Sequence, residues 1–256
     1  MKLSVVVPAY NESQRILPSL HRISSYLDTR YPDHEVIVVD DGSTDATVAL
    51  VREQCGRYAR LRLVSYERNR GKGYAVRTGA LAAQGDVILF SDADLSTPIE
   101  EVEKMLPFIE RGYELVIGSR AHADAQIRQH QPFYREGAGK LFNVLVRVVV
   151  RLPFHDTQCG FKLFRREPLL PILRTLEVDR FAFDVELIAL AQAMGLKVAE
   201  VPVVWVNSPQ SRVSFWQGAQ AFTDLLRIRR AARRLAARPA LSANGAEAQP
   251  PAPRGT

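Results

Sequence analysis

The sequence predicts an α/β protein: a doubly wound, mostly parallel sheet with flanking helices. Two observations carry this. Over the first 120 residues, short apolar runs of strand length alternate with segments of helical periodicity, the βαβα pattern of such a sheet. Three of the runs also end in polar turns rich in Asp, Asn and Ser. Open α/β sheets bind their ligands outside the carboxyl ends of the strands.

Strands are expected near 3–7, 35–39, 61–65, 86–90 and 114–118, and helices near 12–28, 44–55, 73–83 and 99–111. The first strand, Leu3-Ser4-Val5-Val6-Val7, runs into Pro8-Ala9-Tyr10-Asn11-Glu12. The second, Glu35-Val36-Ile37-Val38-Val39, runs into Asp40-Asp41-Gly42-Ser43-Thr44-Asp45. There Ser43 or Thr44 is suited to cap the helix that Asp45 begins. Asp41 is suited to accept hydrogen bonds from a base or ribose. Adjacent carboxylates such as Asp40 and Asp41 repel each other unless a ligand or donor uses them. Asn69-Arg70-Gly71-Lys72-Gly73 opens the third helix, and Lys72 reads either as a phosphate contact or as a flexible helix entry. The strand Asp86-Val87-Ile88-Leu89-Phe90-Ser91 ends in Asp92-Ala93-Asp94. Two carboxylates at a strand end suit Mg²⁺ or Mn²⁺, hard cations often shared with substrate phosphates; the alternative is a polar loop capping the next helix. Right-handed crossovers bring these strand ends to one edge, where the three turns share a ligand.

Beyond residue 120 the pattern loosens. Residues 121–136 are polar and read as a mobile loop. Residues 137–152 read as an apolar helix with a polar stripe of Lys140, Asn143, Arg147 and Arg151, lying against the core or in a membrane interface. A strand at Phe161–Phe164, helices near 166–175 and 184–194, and a strand near 197–206 follow. Residues 215–237 form an amphipathic helix with Phe215, Ala219, Phe222 and Leu226 on one face and Trp216 beside them. Asp184 and Glu186 open an apolar helix, where acidic residues also favour the N-terminal dipole. The tail 238–256 is disordered on composition.

Composition sets limits. A chain of 256 residues, 46% hydrophobic, is one large domain, or one domain with an appendage, and can bury a sizeable core. A net charge of +6 and a pI near 9.5 favour anionic partners. Much of the excess is Arg227, Arg229, Arg230, Arg233, Arg234 and Arg238; no nucleic-acid motif accompanies it, so nucleic acid is disfavoured against a solvated or membrane-facing surface. Two cysteines and five scattered histidines make neither a disulfide framework nor a zinc site. No signal segment and no transmembrane run is legible, and a cytoplasmic location is expected. The first strand lacks Gly-X-Gly-X-X-Gly and no Walker pattern occurs, which disfavours dinucleotide folds and P-loop NTPases.

Seven stretches, spread over residues 4 to about 230, carry a resemblance. They are Val6–Glu12, Val38–Asp45, Asn69–Gly73, Asp92–Asp94, Gly118-Ser119-Arg120, Asp156-Thr157-Gln158-Cys159-Gly160-Phe161-Lys162 and Phe181-Ala182-Phe183-Asp184-Val185-Glu186. On them the chain resembles family 2 glycosyltransferases of the GT-A fold. Within these it is most similar to the polyprenyl-phosphate glycosyltransferases, the dolichyl-phosphate β-glucosyltransferases above all. The last two stretches are the specific ones. The resemblance implies that residues 1–120 bind a nucleotide sugar and 121–237 an acceptor. It implies that Pro8, Tyr10, Glu12, Val39 and Asp41 hold the nucleoside, with Lys72 and Ala93 beside the donor. Asp92 and Asp94 would take Mg²⁺ or Mn²⁺ and the diphosphate, and Arg120 and Arg212 would meet phosphate. The chain departs from the eukaryotic members in showing no N-terminal membrane anchor, and in following Asp-Ala-Asp with Leu95-Ser96-Thr97 rather than Gly-Ala-Thr.

Breaking a sugar–diphosphate bond leaves an anion, which a metal on Asp94 with Arg120 or Arg212 stabilises. An alcohol acceptor needs a base, and Asp184 or Glu186 is the candidate. A lipid phosphate is already anionic and needs cations instead. The expected function is an inverting, metal-dependent transfer of a hexose to a polyprenyl phosphate by a peripherally bound enzyme at the cytoplasmic membrane face. UDP-glucose is the favoured donor, with GDP-mannose possible. The alternatives are a soluble family 2 transferase acting on a saccharide or protein hydroxyl, and a non-catalytic sugar-nucleotide-binding scaffold.

Overall fold

The computed structural model describes residues 1–129, 133–207 and 217–237. Seven strands form the main sheet: β1 (Leu3–Ala9), β2 (His34–Asp40), β3 (Leu61–Ser65), β4 (Val87–Ser91), β5 (Leu115–Ser119), β7 (Phe161–Arg165) and β8 (Val198–Pro202). Their order is β3-β2-β1-β4-β7-β5-β8. All pairs are parallel except those of β7, which runs antiparallel to both β4 and β5. Two short strands, β6 (Gln126–Gln129) and β9 (Val204–Val206), make a separate parallel pair. The helices are α1 (Ile16–Arg30), α2 (Thr47–Arg57), α3 (Lys72–Ala82), α4 (Val102–Glu110), α5 (Phe133–Val149), α6 (Arg166–Thr175), α7 (Phe183–Ala193) and α8 (Gln217–Ala236).

The sheet is covered on both faces, which is why its strands read as near-continuous apolar runs. Alternate residues of one strand serve opposite cores. Val6, Ile88, Phe90 and Phe164 pack with α3, α6 and α7, while Val5, Val7, Leu89 and Leu163 pack with α1 and α4. The order reverses at β1, which has β2 on one side and β4 on the other. That is the switch point at which the crevice of such a sheet opens. The loops after β1 and β4 therefore flank one crevice, with the loop after β2 alongside.

Several expectations are corrected. Residues 121–136 are not wholly a loop: β6 forms there because β9 pairs with it, and α5 begins at Phe133 rather than 137. The strand expected over 197–206 breaks at Val203, where the chain leaves β8 for β9 and the Val203 N–H donates to the Ser119 carbonyl (3.2 Å). The first helix begins four residues late, because Asn11 holds a left-handed φ of 55° and a turn over Glu12–Arg15 precedes the helix. The helix after β2 is capped neither by Ser43 nor by Thr44. It begins at Thr47, whose N–H donates to the Asp45 carboxylate (2.9 Å). In α5, Asn143 does not lie on an outward polar stripe but accepts from Thr157; Leu141, Val144 and Val148 are exposed there together with Arg147. In α8 the core face is Leu225 and Ile228, and Leu226 is exposed. Phe215, Trp216 and the tail 238–256 lie outside the described residues.

Candidate active site

The loops after β1 and β2 are laced together. The Asn11 N–H donates to Ser43 Oγ (2.9 Å), the Glu12 N–H to Thr47 Oγ1 (2.8 Å), and the Thr44 N–H to Asn11 Oδ1 (2.8 Å). This short-range polar lattice fixes Pro8, Tyr10 and Glu12 at the crevice. Tyr10 is exposed there, and Glu12 pairs with Arg15. The Val39 side chain is buried against Gly79, so only its backbone is left to face a ligand. Asp41 is more committed than the sequence suggested. Its buried carboxylate accepts from the Tyr66 hydroxyl (2.8 Å), Asn69 Nδ2 (2.8 Å), the Arg70 N–H (2.8 Å) and the Gly71 N–H (2.9 Å). Four donors match the roughly four acceptor sites of a carboxylate. Asp41 thus holds the loop that leads into α3, and a base or ribose contact would have to displace one of these donors.

Asp92 and Asp94 stand at the end of β4, with Ala93 between them buried in the core. Asp92 Oδ1 lies 2.6 Å from Lys72 Nζ, and Asp94 Oδ2 lies 3.5 Å from Arg15 Nη1. Burial, and then the Asp92 charge, push the Asp94 carboxyl above its ordinary value. Among the described residues no cluster of three His, Cys, Asp or Glu forms a ready-made metal cage. The donor set that is present is a pair of hard oxygen ligands whose charges repel and already attract cations. It fits a divalent ion that takes its remaining ligands from a diphosphate and water.

On the other side of this pair β7 enters, antiparallel. Its first neighbour, Gly160, passes so close that a Cβ there would sit 1.9 Å from Asp92 Oδ2. Lys162 follows, fully buried in an apolar strand. Its ammonium donates to the Cys159 carbonyl (2.6 Å) and forms a buried ion pair with Asp184 Oδ1 at 2.5 Å. Burial pushes the Asp184 carboxyl up, and Lys162 and then Lys72 pull against it. Glu186, two residues further along α7 and so about half a turn around it, faces elsewhere. It accepts from the backbone N–H groups of Glu177 (3.1 Å) and Val178 (2.8 Å) and so pins the loop after α6. Burial raises its carboxyl, and those N–H groups oppose the rise.

Arg120 leaves the end of β5 and is gripped by buried Asp156, through Nε (2.7 Å) and Nη2 (3.0 Å); its own N–H donates to the same carboxylate (3.0 Å). Burial works against the guanidinium charge, but Asp156 outweighs it, and the pKa rises. Glu200 of β8 accepts from the N–H groups of His155 (3.0 Å) and Asp156 (2.9 Å) and sets that turn. Arg120 remains partly exposed, with Trp205 beside it at 5.7 Å.

The structure therefore gathers Glu12, Lys72, Asp92, Asp94 and Asp184 into one charged cluster, with Arg120 drawn to it through the Asp92 charge. It turns Glu186 away. Arg212 lies outside the described residues. Lys162, Arg15 and Asp156 belong to the arrangement and were not singled out as site residues in the sequence. A lone Lys inside Phe161-Lys162-Leu163-Phe164 was the available signal, because a strand interior rarely buries an unpaired charge.

The comparison with known proteins meets this geometry. The model of glycosyl transferase family 2 matches residues 4–172. The chain belongs to that family. It is thus a glycosyltransferase, as its relatives are. The dolichyl-phosphate beta-glucosyltransferases of Mus musculus and Homo sapiens are each 38% identical to it, over 89% of this chain and 75% of theirs. That of Saccharomyces cerevisiae is 35% identical over 83% of this chain and 69% of its own. Among solved structures, glucosyl-3-phosphoglycerate synthase from Mycobacterium tuberculosis, in complex with Mn²⁺, UDP and glucosyl-3-phosphoglycerate, superposes with a TM-score of 0.66 at 23% identity, over 89% of this chain and 79% of that one. S. aureus TarS 1-349 in complex with UDP superposes with a TM-score of 0.61 at 21% identity, over 91% of this chain and 65% of that one. These likenesses establish the GT-A fold.

Proposed function

We propose that this glycosyltransferase moves a hexose from a nucleoside diphosphate to the phosphate of a polyprenyl lipid, with inversion. Glucose from UDP-glucose is favoured over mannose from GDP-mannose. The observation that carries the acceptor class is the state of the two carboxylates that open α7. Asp184 is buried against Lys162 and within reach of the Lys72 charge, and Glu186 is spent on backbone N–H groups. Neither is a free base for an alcohol. An anionic phosphate needs none; it needs cations. Arg120, Lys72 and Arg15 supply them around one crevice. The curated relatives, dolichyl-phosphate beta-glucosyltransferases by name, support the same acceptor and sugar.

The reaction is a single displacement. A phosphate oxygen of the acceptor forms a bond to the anomeric carbon as the bond from that carbon to the diphosphate oxygen breaks on the opposite face. Pro8, Tyr10, Glu12 and the backbone at Val39 border the nucleoside end, and Asp41 fixes the loop that leads into α3. Asp92 and Asp94 are the residues that would hold Mg²⁺ or Mn²⁺, which when bound would neutralise charge developing on the diphosphate. Arg120, its planar fork fixed by Asp156, presents its remaining N–H groups to phosphate, and Arg212 is assigned the same task from the sequence.

The membrane side of the reading rests on α5 and α8. Leu141, Val144 and Val148 are spaced at i, i+3 and i+7 and are exposed, with Leu141 62% and Val148 68% accessible. Arg230, Arg233 and Arg234 of α8 are exposed as well. No described helix is long and apolar enough to cross a membrane. Apolar contact plus attraction to anionic headgroups gives reversible attachment at the cytoplasmic face. The deciding experiment incubates purified protein with Mg²⁺ or Mn²⁺, a panel of sugar nucleotides, and either polyprenyl phosphate in detergent or water-soluble saccharides. Transfer to the lipid phosphate from UDP-glucose is expected. Transfer only to soluble hydroxyls would replace this reading with that of a soluble transferase.

A further inference from the structure

We propose that Lys72 is a resident counter-ion of Asp92 that keeps a bare divalent cation out of the site and yields it only when a diphosphate arrives with the metal. The inference rests on the metal-assisted reading above and adds an order of binding to it.

Lys72 is the first residue of α3, delivered by Gly71 at a left-handed φ of 109°. A Cβ at Gly71 would strike the Asp179 carbonyl at 2.5 Å, so the entry to the helix, and with it the Lys72 stem, is sterically fixed. From there Nζ reaches Asp92 Oδ1 at 2.6 Å and lies 5.1 Å over the Phe90 ring. Lys162 sits over the same ring at 5.8 Å and pairs with Asp184. Lys162, Asp184, Lys72 and Asp92 thus form a row of alternating charge, and Arg15 closes a second row on Asp94 and Glu12.

Three cations here face four carboxylates: Lys72, Lys162 and Arg15 against Asp92, Asp94, Asp184 and Glu12. Most of the negative charge that would draw in a divalent ion is already answered by the chain itself. A bare ion must compete with an ammonium in contact with one of its two carboxylates. A diphosphate changes the balance. Its oxygens offer Lys72 a new partner and offer the metal further ligands. The lysine has the means to move, since its flexible four-carbon stem carries a compact charge and a third of it is solvent-exposed. Its charge also remains answered after it leaves Asp92, because the Asp184 charge acts on it as well.

The test is direct Mn²⁺ binding, read from the free-Mn²⁺ electron paramagnetic resonance signal, with and without UDP. Wild type should bind Mn²⁺ at least about tenfold more weakly without UDP than with it. Lys72→Met keeps the apolar stem and removes the charge. It should tighten bare Mn²⁺ by about tenfold, the scale of one unit charge near a partly exposed site. Lys72→Arg should behave as wild type, and Lys72→Gln serves if the Met variant does not fold. Bare Mn²⁺ affinity in the Met or Gln variant within about twofold of wild type, while UDP still promotes Mn²⁺ binding to both, overturns the counter-ion role alone. Failure of wild type to take Mn²⁺ even with UDP overturns the metal reading itself, and this inference with it.

Discussion

Gly160→Ala tests the geometry of the site with a single methyl group. Gly160 immediately precedes β7, and its carbonyl accepts from the Asp92 N–H (3.1 Å). A Cβ built there lies 1.9 Å from Asp92 Oδ2 and 2.3 Å from Asp92 Cγ. The backbone at Gly160 is not in the left-handed region, so Ala itself is tolerated and the β4–β7 hydrogen bond survives. What must give is the end of the Asp92 side chain. Ordinary contact begins at about 3.5 Å, so the carboxylate has to retreat by about 1.5 Å. That takes it away from Lys72 and from any metal shared with Asp94. A displacement of about 1 Å at a reacting centre costs on the order of 100-fold in rate. Sugar transfer by Gly160→Ala should therefore fall about 100-fold, while circular dichroism and the thermal midpoint stay within a few degrees of wild type. Asp92→Ala should be no less damaged, and Gly160→Ala on top of it should add little, because the clashing group is gone. Wild-type rates in Gly160→Ala would refute the reasoning, since they would mean that the position of Asp92 does not matter to transfer.

Asp94→Asn removes a ligand charge at the end of β4 and should abolish transfer without unfolding the protein, and EDTA should do the same to wild type; transfer by the variant in EDTA contradicts metal assistance. Arg120→Lys loses the planar fork that Asp156 grips, so transfer should drop about tenfold or more, an effect of roughly 1.4 kcal/mol, read in the kinetics for donor and acceptor. Asp156 ties the same site to pH. Arg120 overcomes the opposing effect of burial and holds the carboxyl down at about 2, so its contribution to stability is complete above the ordinary carboxylate range and is lost as pH falls through about 2. Wild type should lose stability between pH 4 and 2 more steeply than Asp156→Asn, which starts lower by about 3 kcal/mol; parallel acid slopes in urea unfolding would show that the pair is not the source. Replacing Arg229, Arg230, Arg233 and Arg234 with Gln should weaken co-sedimentation with anionic liposomes at low salt, each basic residue near the surface being worth about 1 kcal/mol, while UDP-glucose hydrolysis is spared. Wild type that ignores such liposomes at low salt removes the membrane from the account.

Much was legible in the sequence because it is encoded locally. Apolar runs such as Val5–Val7 and Ile88–Phe90 are buried on both faces of a sheet and carry no alternation to hide them. The turns that follow them must carry the chemistry, since strand ends are where a ligand can reach. The turn carrying Asp92 and Asp94 could therefore be placed at one edge with the turns after the first two strands from crossover handedness alone, whereas Lys72 stayed open between a phosphate contact and a helix entry. What the sequence could not decide is which partner each charge takes, because those partners come from distant parts of the chain. Asp41 looked available and is filled by Tyr66, Asn69, Arg70 and Gly71. Asp184 and Glu186 looked equivalent, two residues apart. On a helix that spacing turns them about 200° from each other, so one faces Lys162 and the other the loop at 177–178. The antiparallel entry of β7 likewise has no local signature. Yet it alone brings Gly160 under Asp92 and Lys162 beside Asp184, and the alternating charges that link the metal carboxylates to the core follow from it. Periodicity and turn chemistry are properties of neighbours in the chain; the pairing of buried charges is settled only when the sheet closes and water leaves.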